Sequence, residues 1–210
     1  MQMLVVSATE LEIAPFLSSK PSIDFLITGV GSPACIYQLQ KKLHSKTFDL
    51  VIQAGIAGAF GNGLALGETV LVQKEIFADL GAIENNQLKS VFDMGLAENN
   101  DTPYTNGWLV NELPLLQKSN LKKVPGITVN TVSDNKYLAD LYTNKYHAAV
   151  ETMEGASLHY VCLQEKIPFL QLRSISNRVG ERDKNKWEMQ DAIQHLNAEL
   201  VTIINLTTAG

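Results

Sequence analysis

Short runs of branched apolar residues punctuate this chain, and segments of helical period fill the gaps between them. Residues 3–8 (MLVVSA), 23–29 (IDFLITG), 48–55 (FDLVIQAG), 68–78 (ETVLVQKEIFA), 126–133 (GITVNTVS), 148–152 (AAVET) and 168–176 (PFLQLRSIS) predict strands. Several are apolar throughout instead of alternating, as strands covered on both faces are. PACIYQLQKKLHSK after Ser32, NKYLADLYTNKY after Asp134 and MEGASLHYVCLQE after Thr152 predict helices. Met189, Ile193, Leu196, Leu200 and Ile203, spaced four and three apart, mark one face of a long C-terminal helix. Pro114 interrupts WLVNELPLLQK and makes any helix there short or kinked. Strand–helix alternation of this kind predicts an α/β three-layer domain around a largely parallel or mixed sheet. In such sheets ligands sit at the carboxyl ends of the strands, so those ends are where chemistry is expected.

With 210 residues and 45% hydrophobic composition, the chain can bury one substantial core. No Pro/Gly/Ser-rich linker or repeat divides it, so a single domain spanning 1–210 is expected. A net charge of −5 argues against a nucleic-acid partner or an anionic membrane surface, either of which would call for a basic patch. The opening MQMLVVSATELE has no basic region ahead of its apolar run, unlike a signal peptide, and no apolar run approaches the ~18 residues of a membrane span. Cys35 and Cys162 stand alone, as reduced thiols of a cytoplasmic protein do.

One motif invites a wrong reading. GVGSPA (29–34) follows a strand and precedes a helix in the manner of a dinucleotide fingerprint, and Asp49 lies about twenty residues on. A ribose-binding acid belongs at the end of the second strand, whereas Asp49 enters LVIQAG at its start. A tight turn into a helix is the better reading. His44, His147, His159 and His195 lie far apart without metal-ligand spacing, so neither a metal nor a cofactor is expected.

Four strand ends carry polar or small residues that the apolar runs do not explain. The first runs into SATELE, placing Glu10 and Glu12 past its tip. The third runs into AGIAGAFGNGLALG, read as a loop whose small residues let backbone approach a ligand closely. AAVET runs into MEGAS, with Glu151 and Glu154 flanking the helix start, and PFLQLRSIS delivers Asn177 and Arg178. Singly, each has a dull explanation: acids suit a first helical turn, and a strand-end Asn closes an Asx turn. Together they describe convergent polar groups around a pocket.

SATELE, TGVG, AGIAG and VETMEGASLHYVCLQEKIPFLQLRSISNRVGERDKNKW resemble the purine nucleoside phosphorylase/5′-methylthioadenosine nucleosidase superfamily and, within it, the futalosine hydrolases of menaquinone biosynthesis. The resemblance implies a three-layer α/β/α sandwich with a central twisted mixed sheet, no cofactor, a purine nucleoside as small-molecule partner, and a homodimer or larger homo-oligomer. Phe60, Leu64 and Trp108 are candidates for that interface or for the core. The resemblance also implies roles for single residues. Glu12 matches the base that activates the attacking water, although Glu10 stays open from the sequence alone. Met153 packs against the ribose and Glu154 accepts from its hydroxyls. Asn177, beside Ser176, meets the purine at N7 and the C6 substituent. The stretch 131–135, with Val132, holds the base through backbone groups, and Ile56 lies in the Gly-rich segment.

Two departures narrow the subclass. Residues 1–60 contain no arginine, and Ile56 stands where a phosphate-binding hydroxyl often sits. A phosphate dianion would also meet Glu12; like charges at ~4 Å and an effective dielectric of 20 repel by about 4 kcal/mol. Hydrolysis is therefore expected over phosphorolysis. The second departure is Asn177, where methylthioadenosine nucleosidases carry Asp. An amide donates to O6 of a 6-oxopurine and accepts from N7–H, so release of hypoxanthine is expected. Futalosine carries a carboxylate on its 5′ tail, and Arg178 or Arg182 is the expected partner. The competing expectations are a methylthioadenosine/S-adenosylhomocysteine nucleosidase, an inosine-type phosphorylase, and a non-catalytic purine-nucleoside binder.

Overall fold

All five residues of β1 (Met3–Ser7) are buried, because its two faces serve two different layers. Met3 and Val5 join the cluster that contains Leu196, Leu200 and Ile203, whereas Leu4 and Val6 join the one that contains Leu39, Leu43 and Leu158. The computed structural model describes residues 1–19 and 22–208. After β1 a 3₁₀ turn (Leu11–Ile13) leads into α1 (Ala14–Ser18), followed by β2 (Asp24–Ile27), α2 (Ser32–Ser45), β3 (Leu50–Ala59) and β4 (Thr69–Glu75). A small hairpin, β5 (Gly81–Glu84) and β6 (Gln87–Ser90), precedes β7 (Leu109–Val110), α3 (Leu115–Lys118) and β8 (Lys123–Thr128). The chain closes with α4 (Lys136–Tyr146), β9 (Val150–Thr152), α5 (Gly155–Glu165), β10 (Phe169–Arg178) and α6 (Met189–Thr208).

The main sheet runs β10-β4-β8-β9-β3-β1-β2, and β10 also pairs with β3. The pairings β3–β10–β4–β8–β9–β3 therefore form a closed ring, with β1 and β2 as an extension. Parallel contacts (β1–β2, β1–β3, β10–β3, β4–β8, β8–β9) are joined by antiparallel ones (β10–β4, β3–β9, β4–β7), so the sheet is mixed. α6 covers one face through Leu196, Leu200, Ile203 and Ile204, and α2 and α5 cover the other through Leu39, Leu158 and Val161. This is the expected α/β/α layering. Among the described residues no helix is long and apolar enough to cross a membrane.

Three local expectations change. AGIAG is strand, not loop: β3 continues to Ala59, paired with β10 up to Arg178 and with β9 at Gly58 and Ala59. Its small residues sit where neighbouring strands converge, and Ala57 and Ala59 are themselves core. The expected strand 126–133 begins earlier and ends at Thr128, after which Asn130 N–H donates to Asp79 Oδ2 at 2.6 Å and turns the chain away. The β5–β6 hairpin lacks the apolar runs by which the other strands are read, but its turn carries a signal: Asn85 and Asn86 both have positive φ, 50° and 62°. Asn tolerates that region better than most residues. Pro114 indeed leaves α3 a single short turn. Leu64 is buried, while Phe60 and Trp108 pack, partly buried, against the cluster of Ile76, Tyr142 and Tyr146.

Candidate active site

A cavity of about 520 Å³ opens at the carboxyl ends of β1 and β10, walled by β9, the outer half of β3 and the loop after β10. That volume lies within the usual range for a small-molecule site. Glu12, Ile56, Val132, Met153, Glu154, Ser176, Asn177 and Arg182 all line it. Arg178 is not among its lining residues; it is half-buried, and its Nη1 is buried without a partner. Glu10 is exposed and also outside the cavity.

Glu12 is buried at the 3₁₀ turn that follows β1. Its Oε2 accepts from Thr9 N–H (3.0 Å), Thr9 Oγ1 (2.9 Å) and Ser7 Oγ (3.2 Å), and its Oε1 accepts from Ile56 N–H (3.0 Å). The carboxylate is thus fixed between the end of β1 and the extended part of β3. Ile56 takes part through its backbone.

Glu154 sits at the junction of β9 and α5. The first N–H groups of α5 are capped from the sheet: Gly155 N–H donates to Thr152 Oγ1 at 3.1 Å and Ala156 N–H to Thr128 Oγ1 at 2.7 Å. This anchors the backbone just after Glu154. Its Oε1 accepts from Gly31 N–H at 2.8 Å, and Ser32 Oγ donates to Met153 O at 3.3 Å. The glycine turn that imitates a dinucleotide fingerprint therefore binds a carboxylate of the chain itself. Gly31 adopts φ +94°, which a residue with a Cβ seldom does. Asp49, the other half of that false signal, accepts from Gln2 N–H at 2.6 Å at the opposite end of β3. Burial raises the Glu154 carboxyl above its ordinary pKa, and the positive charge of Arg173 opposes the rise.

Arg173 was invisible as a site residue in the sequence, where it sits inside an apolar strand. It is 1% exposed, and its Nη2 donates to Gln53 Oε1 at 2.6 Å. A Cβ on Gly55 would collide with this guanidinium and come within 2.9 Å of Glu12 Oε1, so only glycine fits between the two. Arg173 is the cation behind the acidic end of the cavity. The available signal was a charged residue in the centre of a run otherwise dictated by burial, since buried charges are retained when paired. Deeper still, Glu75 accepts from Gln171 Nε2 (2.9 Å) and Thr128 Oγ1 (3.2 Å), and burial pushes its carboxyl up to about 7. His159, wholly buried, hydrogen-bonds Leu109 O through Nδ1 at 2.9 Å; burial lowers its pKa to about 4 and keeps it neutral.

A register break brings Asn177 to the cavity. Ile175 pairs with Ala57 and Asn177 with Gly58, so Ser176 is the extra residue of a bulge. Such a bulge re-aims the side chains next to it, and both Ser176 and Asn177 reach the cavity wall. Ser176 Oγ donates to Asn177 Oδ1 at 2.8 Å, and Asn177 Nδ2 donates to Arg178 O at 2.9 Å. The first bond fixes which way the amide points; the second uses one of two N–H groups. Beyond β10 the loop is closed by Trp187 Nε1 donating to Glu181 O at 3.0 Å and by a Lys186–Glu181 ion pair at 2.8 Å. The Arg182 guanidinium lies 5.5 Å from the centre of the Trp187 ring.

A family model described as "Phosphorylase superfamily" matches residues 25–208. The futalosine hydrolase of Thermus thermophilus is 32% identical over 92% of this chain and 91% of its own length. That of Acidothermus cellulolyticus is 33% identical over 82% of this chain and 71% of its own. Among solved structures, the native futalosine hydrolase of Helicobacter pylori superposes with a TM-score of 0.79 at 16% identity, covering 97% of both chains. The 5′-methylthioadenosine/S-adenosylhomocysteine nucleosidase of the same organism, with butyl-thio-DADMe-Immucillin-A, gives 0.80 at 16% identity over 98% of each. At such identities the structural matches establish the fold.

Proposed function

The chain belongs to the phosphorylase superfamily and is an N-glycosyl hydrolase within it, and we propose that its substrate is futalosine, cleaved by water to release hypoxanthine. The observation that carries this reading is the pairing of two buried carboxylates, Glu12 and Glu154, with a neutral amide, Asn177, around one cavity. Breaking an N-glycosidic bond builds positive charge on the sugar, and a carboxylate beside the ribose stabilises it. Glu154 takes that role and accepts from the ribose hydroxyls, with Met153 against the sugar. Glu12 takes the proton of the attacking water, its four donors holding it in one orientation. A positioned general base is worth ~10²–10⁴-fold.

Asn177 selects the base. Its free N–H serves as donor to O6 of a 6-oxopurine, a contact an adenine amine cannot make. Val132 lies on the wall where the base is held, and Arg182 at the rim offers a cation to the carboxylate of the 5′ tail. The test is incubation with futalosine in phosphate-free buffer and again with phosphate. Equal hypoxanthine release with free sugar is expected in both. Formation of a sugar 1-phosphate, or turnover of methylthioadenosine in place of futalosine, would overturn the reading.

A further inference from the structure

A neutral amide at Asn177 leaves the reaction without a proton for the departing base. We propose that Glu151 supplies it, as the general acid that protonates N7; this rests on the nucleosidase reading above.

β10 and β9 flank β3, and in the ladder Asn177 pairs with Gly58 while Gly58 pairs with Glu151. Directly paired residues present side chains on the same face of a sheet, so Asn177 and Glu151 face the cavity two strand spacings apart, roughly 10 Å between backbones. The residue between them has no side chain. A Cβ on Gly58 would touch Asn177 Nδ2 at 3.4 Å and crowd Val179 Cγ2 at 3.1 Å. All three line the cavity. Glu151 is half-buried, and among the described residues its carboxyl has no hydrogen-bond partner, unlike Glu12 and Glu154, which the chain itself occupies.

The groups around it set its protonation. Arg182, on the loop after β10, favours the carboxylate; Asp79, beyond β4, disfavours it. Tyr142 of α4 stays neutral beside it, its hydroxyl pushed up to about 12 by burial and, to a smaller extent, by the charges of Asp79 and Glu151. Burial outweighs Arg182 and pushes Glu151 up to about 7, where a carboxyl can both hold and release a proton near neutrality.

In the step itself the C1′–N9 bond breaks and its electron pair passes into the purine. The Glu151 carboxyl gives its proton to N7 and becomes a carboxylate, as the water oxygen bonds C1′ and its proton goes to Glu12. One water is consumed, and the enzyme resets when Glu12 releases a proton and Glu151 takes one up through solvent.

The experiment compares wild type with Glu151→Gln on futalosine and on p-nitrophenyl β-D-riboside, whose phenolate departs without a proton. The variant should lose about 10²-fold or more in kcat on futalosine, bind hypoxanthine within a few-fold, and keep its rate on the nitrophenyl riboside. The wild-type kcat on futalosine should fall as pH rises past about 7, and that limb should vanish in the variant. Equal losses on both substrates, or an unchanged kcat on futalosine, would overturn the acid role. A wild type inactive on both would instead sink the nucleosidase reading, and the acid role with it.

Discussion

Replacing Glu75 by glutamine should stabilise the folded chain in mild alkali and change little in acid. Glu75 is fully buried, and burial raises its carboxyl from 4.5 to about 7 against the opposing pull of Gln171, Arg173 and Thr128. Below about pH 4.5 the carboxyl is protonated in both folded and unfolded chains, so it adds no pH-dependent cost. Between 4.5 and about 7 the unfolded chain ionises while the folded one does not, and each pH unit destabilises by about 1.4 kcal/mol. Above about 7 both states are ionised and the full cost, about 3 kcal/mol, is present. Glutamine removes this titration. Its amide can be received, because Gln171 Oε1 is buried without a partner and a flip of Gln171 turns that acceptor toward the new N–H. The gain at pH 8 should then approach about 3 kcal/mol, or roughly 6–12 °C in Tm for a chain of this length. Urea unfolding of both proteins at several pH values between 4.5 and 8 measures it. A difference that stays flat with pH, or a variant less stable at pH 8, would refute the reasoning.

Glu12→Gln should lower kcat by at least ~10²-fold with KM within a few-fold, since a water-activating base is lost while the binding wall stays; steady-state rates on futalosine check it. Asn177→Asp should shift preference from 6-oxo toward 6-amino nucleosides by roughly ten- to a hundredfold in kcat/KM, because a carboxylate oxygen then faces O6 at a mismatch of ~1–3 kcal/mol. The ratio of kcat/KM for futalosine and its 6-amino analogue tests this, and an unchanged ratio removes Asn177 from base selection. Arg182→Ala should raise KM for futalosine and leave KM for inosine nearly unchanged, whereas Arg178→Ala, outside the cavity, should alter neither KM appreciably.

The layered fold and the position of most of the cavity wall were legible in the sequence because burial writes itself locally. A strand covered on both faces, such as Met3–Ser7, must be apolar at every position, and a helix covering one face, such as α6, must repeat its apolar residues every three or four. Carboxyl ends of strands then indicate where Glu12, Glu154 and Asn177 emerge. What tertiary structure alone decided depends on partners distant in sequence. Glu12 rather than Glu10 faces the cavity because Ile56 N–H, forty-four residues away, receives it. AGIAG is strand because β9 and β10 close on it, which no local propensity of Gly and Ala would favour. A one-residue bulge at Ser176 brings Asn177 into register with Gly58, and register is a property of two strands, not one. Arg173 is tolerable in an apolar strand only because Gln53 accepts from it and the missing side chain of Gly55 leaves it room in the folded core. A buried charge is stabilised by whatever surrounds it in space, and that company is fixed only when the sheet has closed.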